Sequence, residues 1–249
     1  MMRFVICFAV LSALSPMCLA DGWGHLEGQI TLDGAVPSIA PLVKKGDATV
    51  KDAAVCAAQD VPNDAMAFDP ETKGVANVFV FMRRAPKNIH PDLKTSKEKE
   101  VEFDQKGCRF LPHAMIVRTD QTVICKSSDA VAHNVHTNPF TNSPSNFIVQ
   151  PNDSEGLEVK LPQAERLPVK VVCDIHPWML AWWVVVDHPY AAVTDAQGKF
   201  RIENLPEGEV ELAVWHEATG YIERKLTVNI QDGKTEAVEI KAPVGDFKE

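Results

Sequence analysis

Between Cys173 and Met179 the chain places a thiol, an imidazole and a thioether in one short run, Cys173-Asp174-Ile175-His176-Pro177-Trp178-Met179. Donors so close in sequence can meet at one point only on a tight loop, and such a loop keeps its shape only between rigid strands. The donor types match a trigonal site of two His and one Cys with a long axial Met, the coordination of blue-copper electron-transfer centres. A second His must then arrive from another strand, and His133-Asn134-Val135-His136 offers it upstream. His133 and His136 face opposite sides of an extended strand, so only one of them can point at the metal.

The rest of the chain reads as β. Runs rich in strand-forming residues and bounded by Gly, Pro, Asn and Asp predict strands over 28–32, 78–82, 114–118, 122–125, 147–150, 157–161, 169–172, 182–186, 200–203, 210–215 and 224–230. Strands in that number build sandwiches or barrels, and 249 residues suffice for one or two domains. The expected fold class is all-β. Helix is expected only as a short piece within 48–58, and the charged stretch 94–106 as a solvated loop with at most an edge strand.

Positions 1–20 have the form of a secretory signal: Arg3, an apolar stretch over 4–14, then Cys18-Leu19-Ala20 with cleavage after Ala20. That stretch is too short to span a bilayer and no later run is long enough, so a periplasmic or secreted protein without a membrane span is expected. The formal charge is −9, and −10 once Arg3, the one charged residue among positions 1–20, is removed. Nucleic-acid affinity comes mainly from basic groups, so no nucleic-acid partner is expected. Export permits disulfides. Cys125 falls in a strand and Cys173 in the donor loop, whereas Cys56 and Cys108 lie in polar, loop-like stretches; the expected bridge is Cys56–Cys108, with Cys125 a reduced core residue.

Two resemblances organise these elements. The run from Thr194-Asp195-Ala196-Gln197-Gly198-Lys199-Phe200 to Leu205-Pro206-Glu207-Gly208 sets a turn, an alternating strand and a second turn in series. It resembles the carboxypeptidase regulatory-like, carbohydrate-binding-like β-sandwich. The first strands of that pattern would be 28–32 and 75–80, far upstream, which implies a discontinuous sandwich over 21–90 and 188–243 with a second domain, 91–187, inserted in it. Two isolated strands are marginal in water, so the N-terminal pair needs the C-terminal strands. Two sandwiches in series are the alternative.

The intervening segment resembles the cupredoxins, of the amicyanin/plastocyanin-like, methylamine-utilisation-protein-like type and most closely amicyanin. The likeness runs from Cys108-Arg109-Phe110-Leu111-Pro112 through Ser127-Ser128-Asp129 and Ala132-His133-Asn134 to Cys173-x-x-His176-x-x-Met179. It implies a Greek-key β-sandwich holding one type 1 copper on His133, Cys173, His176 and Met179, and it selects His133 over His136. Asn134 would tether the ligand loop by hydrogen bonds. The departure is Asp174, where relatives carry a hydroxyl residue. The remaining histidines, His25, His90, His113, His188 and His216, are read as structural.

The resemblance implies one-electron transfer through an exposed edge of His176, with a redox protein docking near His176 and Trp178; core packing is the other reading of Trp178. A binding module is the alternative function. The second sandwich would then hold a glycan or envelope polymer, with Trp215, His216 and Tyr221 as candidate stacking residues and the cupredoxin domain structural or copper-storing. Enzymatic activity is not expected. There is no G-x-S-x-G, no C-x-x-C-H, no second Cys in the ligand loop and no His beside Cys173, and a Met in fourth position argues against zinc.

Overall fold

The structure, a computed structural model, describes residues 22–247; the expected signal at 1–20 lies outside the described residues. The strands are β1 (Trp23–Asp33), β2 (Phe79–Phe81), β3 (Glu100–Gln105), β4 (Phe110–Leu111), β5 (Ala114–Arg118), β6 (Thr122–Ser127), β7 (His133–Asn138) and β8 (Asn146–Val149). They continue with β9 (Leu157–Lys160), β10 (Val169–Val172), β11 (Leu180–Val186), β12 (Ala191–Val193), β13 (Lys199–Pro206), β14 (Gly208–His216), β15 (Gly220–Ile230) and β16 (Thr235–Pro243). Among the described residues the α-helix is the single turn α1 (Ala53–Cys56). The chain is all-β, as expected.

The strands form four sheets, ordered β13-β1-β16, β12-β2-β14-β15, β5-β11-β10-β7-β8 and β4-β3-β6-β9. β1 lies between β13 and β16, and β2 between β12 and β14, so strands from the two ends of the chain complete each other's hydrogen bonding. β3 to β11 make up the other two sheets.

Side-chain alternation explains how the sheets stack. On β11, Ala181, Trp183 and Val185 enter one core while Trp182, Val184 and Val186 enter another. β14 behaves likewise: Val210, Leu212 and Val214 face one way, Ala213 and Trp215 the other. Sheets apolar on both faces need cover on both. Here they cover each other, with Phe79, Phe81, Ala213 and Trp215 packed against Ala114, Val184 and Val186. Two sandwiches result, each with its own core and a third apolar layer in the seam between them.

One polar cluster crosses that seam. Glu217, just after β14, accepts a hydrogen bond from Trp182 Nε1 at 2.9 Å and meets the His113 ring at Nε2. Burial alone would raise the Glu217 carboxyl, but His113 and Trp182 hold it below its ordinary value. His113 is thus structural, as the sequence suggested.

The short helix expected within 48–58 is α1, and one expectation needs correction. The stretch 94–106 contains β3, an interior strand between β4 and β6, with Phe103 fully buried; every second residue turns inward, a signal masked by the charges on the outward positions. The bridge is Cys56–Cys108, with Cys125 reduced, as expected, and both bridged cysteines are buried. β16 has no expected counterpart, although Val238, Ile240 and Ala242 alternate with Glu239 and Lys241; it pairs in parallel with β1, which no local turn signals.

Replacing Glu217 by Ala strands His113 and Trp182 N–H in a dry seam. Unfolding in denaturant should show a loss of about 3 kcal/mol at neutral pH. Because the folded-state carboxyl is lowered, its stabilisation is present above the ordinary value of 4.5 and is lost as the pH falls through the lowered value. The gap between wild type and Glu217→Gln should therefore narrow in acid.

Candidate metal centre

β10 and β11 are antiparallel neighbours, and the loop that joins them carries Cys173, His176 and Met179. Two backbone bonds close it: Cys173 N–H donates to the Met179 carbonyl at 3.2 Å, and Met179 N–H to the His176 carbonyl at 2.9 Å. On its other side β10 pairs with β7, Val172 opposite His136. The end of β10 therefore lies beside the start of β7, where His133 sits, and Asn134 N–H reaches Cys173 Sγ at 3.5 Å.

One ligand atom each from His133, Cys173 and His176 lie within 4.8 Å of one another, and all three residues are buried. The two Nδ1 atoms are 2.9 Å apart, and His176 Nδ1 is 3.8 Å from Cys173 Sγ. Met179 is buried in the same core cluster as Cys173. His136 is turned away, its Nδ1 3.1 Å from Asp174, at a partly exposed edge.

A second potential cluster, Cys108, Asp129 and His133, shares His133 with the first. It offers no thiolate, because Cys108 is in the disulfide.

Carboxylates hold the outer nitrogens of both rings. His133 Nε2 is 2.9 Å from Asp129, which also accepts the backbone N–H groups of Gly107 and Cys108. His176 Nε2 is 3.0 Å from Asp52. A carboxylate only accepts, so each Nε2 carries its proton and each Nδ1 is aimed inward; this is the outer support typical of metal-binding histidines.

Electrostatics separate the two free cysteines. Burial alone would push the Cys173 thiol up, but hydrogen bonds from His133, His176 and Asn134 N–H bring it down to about 6. Cys125 has only the burial and is pushed up to about 12. Burial would likewise pull His133 down, yet Asp129 and the Cys173 sulfur raise it to about 9. At neutral pH and without metal, these shifts favour a buried thiolate beside a protonated imidazole. The thiolate is the form that binds metal, so the donor set fits a soft transition-metal ion.

Asn134 ties down the loop as the resemblance implied. Its Oδ1 accepts Asp174 N–H at 2.7 Å, and its Nδ2 donates to Asp174 and Asn146. Asp174, the departure from the family pattern, also bonds His136, whose proximity is the main cause holding its carboxyl low. It braces the loop from the solvent side.

The structure corrects the exposed edge of His176. The residue has no solvent-accessible surface, and the Asp52 carboxylate lies against its outer nitrogen. Trp178 is partly buried, packs towards Val43, Ala57 and Val61, and donates its indole N–H to the Cys108 carbonyl at 3.1 Å. On the second sandwich, Trp215 and His216 are buried, and Tyr221 lies partly buried under Arg83 and Arg224. Sequence reasoning missed the roles of Asp129 and Asp52. Asp129 stands four residues before His133 and was within sight; Asp52 lies 124 positions from His176 and left no signal.

No family model matches the chain, and no curated protein matches it. Among solved structures it is similar to a purple cupredoxin from Nitrosopumilus maritimus, at 16% identity over 34% of this chain and 97% of that one, with a TM-score of 0.28. An amicyanin mutant in the oxidised state aligns at 19% identity over 35% of this chain and 82% of its own, with a TM-score of 0.30. A copper-containing nitrite reductase from Thermus scotoductus aligns at 18% identity over 41% of this chain, with a TM-score of 0.29. This chain spans only 27% of that enzyme.

In the metal-free protein, thiolate ultraviolet absorbance should appear as the pH rises through about 6. Cys173→Ser should abolish that step, leaving Cys125 protonated beyond neutral pH. Asp129→Asn should move it upward, because the His133 cation that stabilises the thiolate is then less favoured.

Proposed function

We propose that this protein is an exported type 1 copper protein that carries single electrons between redox partners and is not an enzyme. One observation supports the reading above all: the buried convergence of His133 Nδ1, His176 Nδ1 and Cys173 Sγ, with the thiol lowered to about 6. His133, Cys173 and His176 would hold the copper in a plane, with Met179 as the long axial ligand. When bound, copper supplies a one-electron couple.

The chain's own residues do the rest. The β10–β11 loop and β7 fix the donors on rigid strands, Asp129 and Asp52 keep both rings in one tautomer, and burial excludes water. A site that moves little between oxidation states exchanges electrons quickly. The inserted cupredoxin domain at 91–187, within a carboxypeptidase regulatory-like sandwich at 21–90 and 188–243, belongs to the same proposal. Its support is that β1 and β2 pair with β12, β13, β14 and β16. Export rests on the form of positions 1–20; among the described residues no helix is long and apolar enough to cross a membrane.

The test is the visible and electron paramagnetic resonance spectrum of the mature protein with Cu(II). An intense blue thiolate-to-copper band is expected, lost in Cys173→Ser and His133→Ala and kept in His136→Ala. A colourless wild type, or bleaching by His136→Ala with His133→Ala unaffected, would remove the assignment.

A further inference from the structure

Asp52 is an anomaly in its own element. It stands at the N-cap of α1, where an Asp side chain ordinarily accepts a helix N–H. Here the carboxylate makes no cap bond, and the backbone is left-handed, with φ 54° and ψ 38°. A non-glycine residue in that region costs energy and needs a compensating contact. The contact is His176: the carboxylate that forgoes the cap lies 3.0 Å from Nε2.

The surroundings hold Asp52 there. Cys56, at the other end of α1, is bridged to Cys108. Cys108 in turn gives its N–H to Asp129 and its carbonyl to Trp178 Nε1. Asp64 and Arg109 form a two-toothed ion pair between the same two stretches, at 2.6 and 2.9 Å. The Asp52 side chain is 36% exposed while that of His176 is 0% exposed, so the carboxylate stands between the imidazole and water.

We propose that Asp52 is a positioning residue for the metal centre and that the segment around α1 is its cap, locking the His176 ring with Nδ1 inward and sealing it from solvent. The proposal deepens the copper reading above and rests on it for the metal-bound readouts. A carboxylate on the outer N–H makes the ring a stronger donor, which favours the more highly charged copper and holds the potential down. A redox partner then meets the cap and not an imidazole edge.

The test compares wild type, Asp52→Ala, Asp52→Asn and Asp52→Glu, with the disulfide verified in each. In metal-free protein, nitrogen-15 NMR should show His176 protonated at Nε2 with slow proton exchange, and diethyl pyrocarbonate should modify it far more slowly than His136. Asp52→Ala should lose both protections. Copper titration should then show affinity falling about 10–100-fold in Asp52→Ala, and the potential rising in Asp52→Ala and Asp52→Asn. Asp52→Asn keeps an acceptor without the charge, so it should retain the NMR tautomer, and Asp52→Glu should restore part of the wild-type potential. Wild-type His176 modified as fast as His136, or an Asp52→Ala variant with unchanged ring exchange, would overturn the cap. A wild type that binds no copper would overturn the copper reading instead, and the metal-free measurements would still decide the role of Asp52.

Discussion

Two imidazoles set edge to face, their inner nitrogens turned toward each other, between two carboxylates are the constraint on which the site depends. Asp129 holds His133 and Asp52 holds His176, leaving the inner nitrogens 2.9 Å apart beside the Cys173 sulfur. The two outer carboxylates are themselves connected. Asp129 accepts the N–H of Cys108, Cys108 is bridged to Cys56, and Cys56 closes the helical turn that begins at Asp52. The supports form a closed ring through covalent and hydrogen bonds, so neither imidazole can turn without disturbing the other's anchor. A buried charged pair such as the Cys173 thiolate and protonated His133 is tolerable only in such a setting, where each charge has its partners in place.

β11 links this site to the rest of the molecule. It begins directly after Met179, sends Trp183 into the core against Phe103, and sends Trp182 into the seam against Trp215. A strand packed on both faces cannot shift without opening two cores, which fixes the position of the loop it terminates. The second sandwich therefore does more than sit beside the donors: it supplies the outer cover for the sheet that carries them. The Glu217 cluster with His113 and Trp182 adds a directional tie to an otherwise apolar seam.

Much of this was legible along the chain because it is local. The donor loop is a single run, and its flanking strands announce themselves by apolar composition. His133 could be set against His136 because strand periodicity puts them on opposite faces, and the structure has them so: His133 in the cluster, His136 on Asp174. The polar, loop-like stretches around Cys56 and Cys108 point to the bridge between them, although both side chains are buried. β3 was hidden because charges occupy its outward positions, and β16 because its partner β1 lies at the other end of the chain.

The sequence by itself determined the all-β class, the donor types and that only one of His133 and His136 could share a face with the cysteine, because periodicity and donor chemistry are properties of neighbouring residues. Only the tertiary structure decided what surrounds those donors. The Asp52 contact joins residues 124 apart, and the seam joins Phe79 to Val184 and Trp215; no local pattern encodes either. The same reason governs the burial of His176. Whether a loop residue meets water depends on what else folds over it, and here Asp52, four residues before the bridged Cys56, lies against the outer nitrogen of His176.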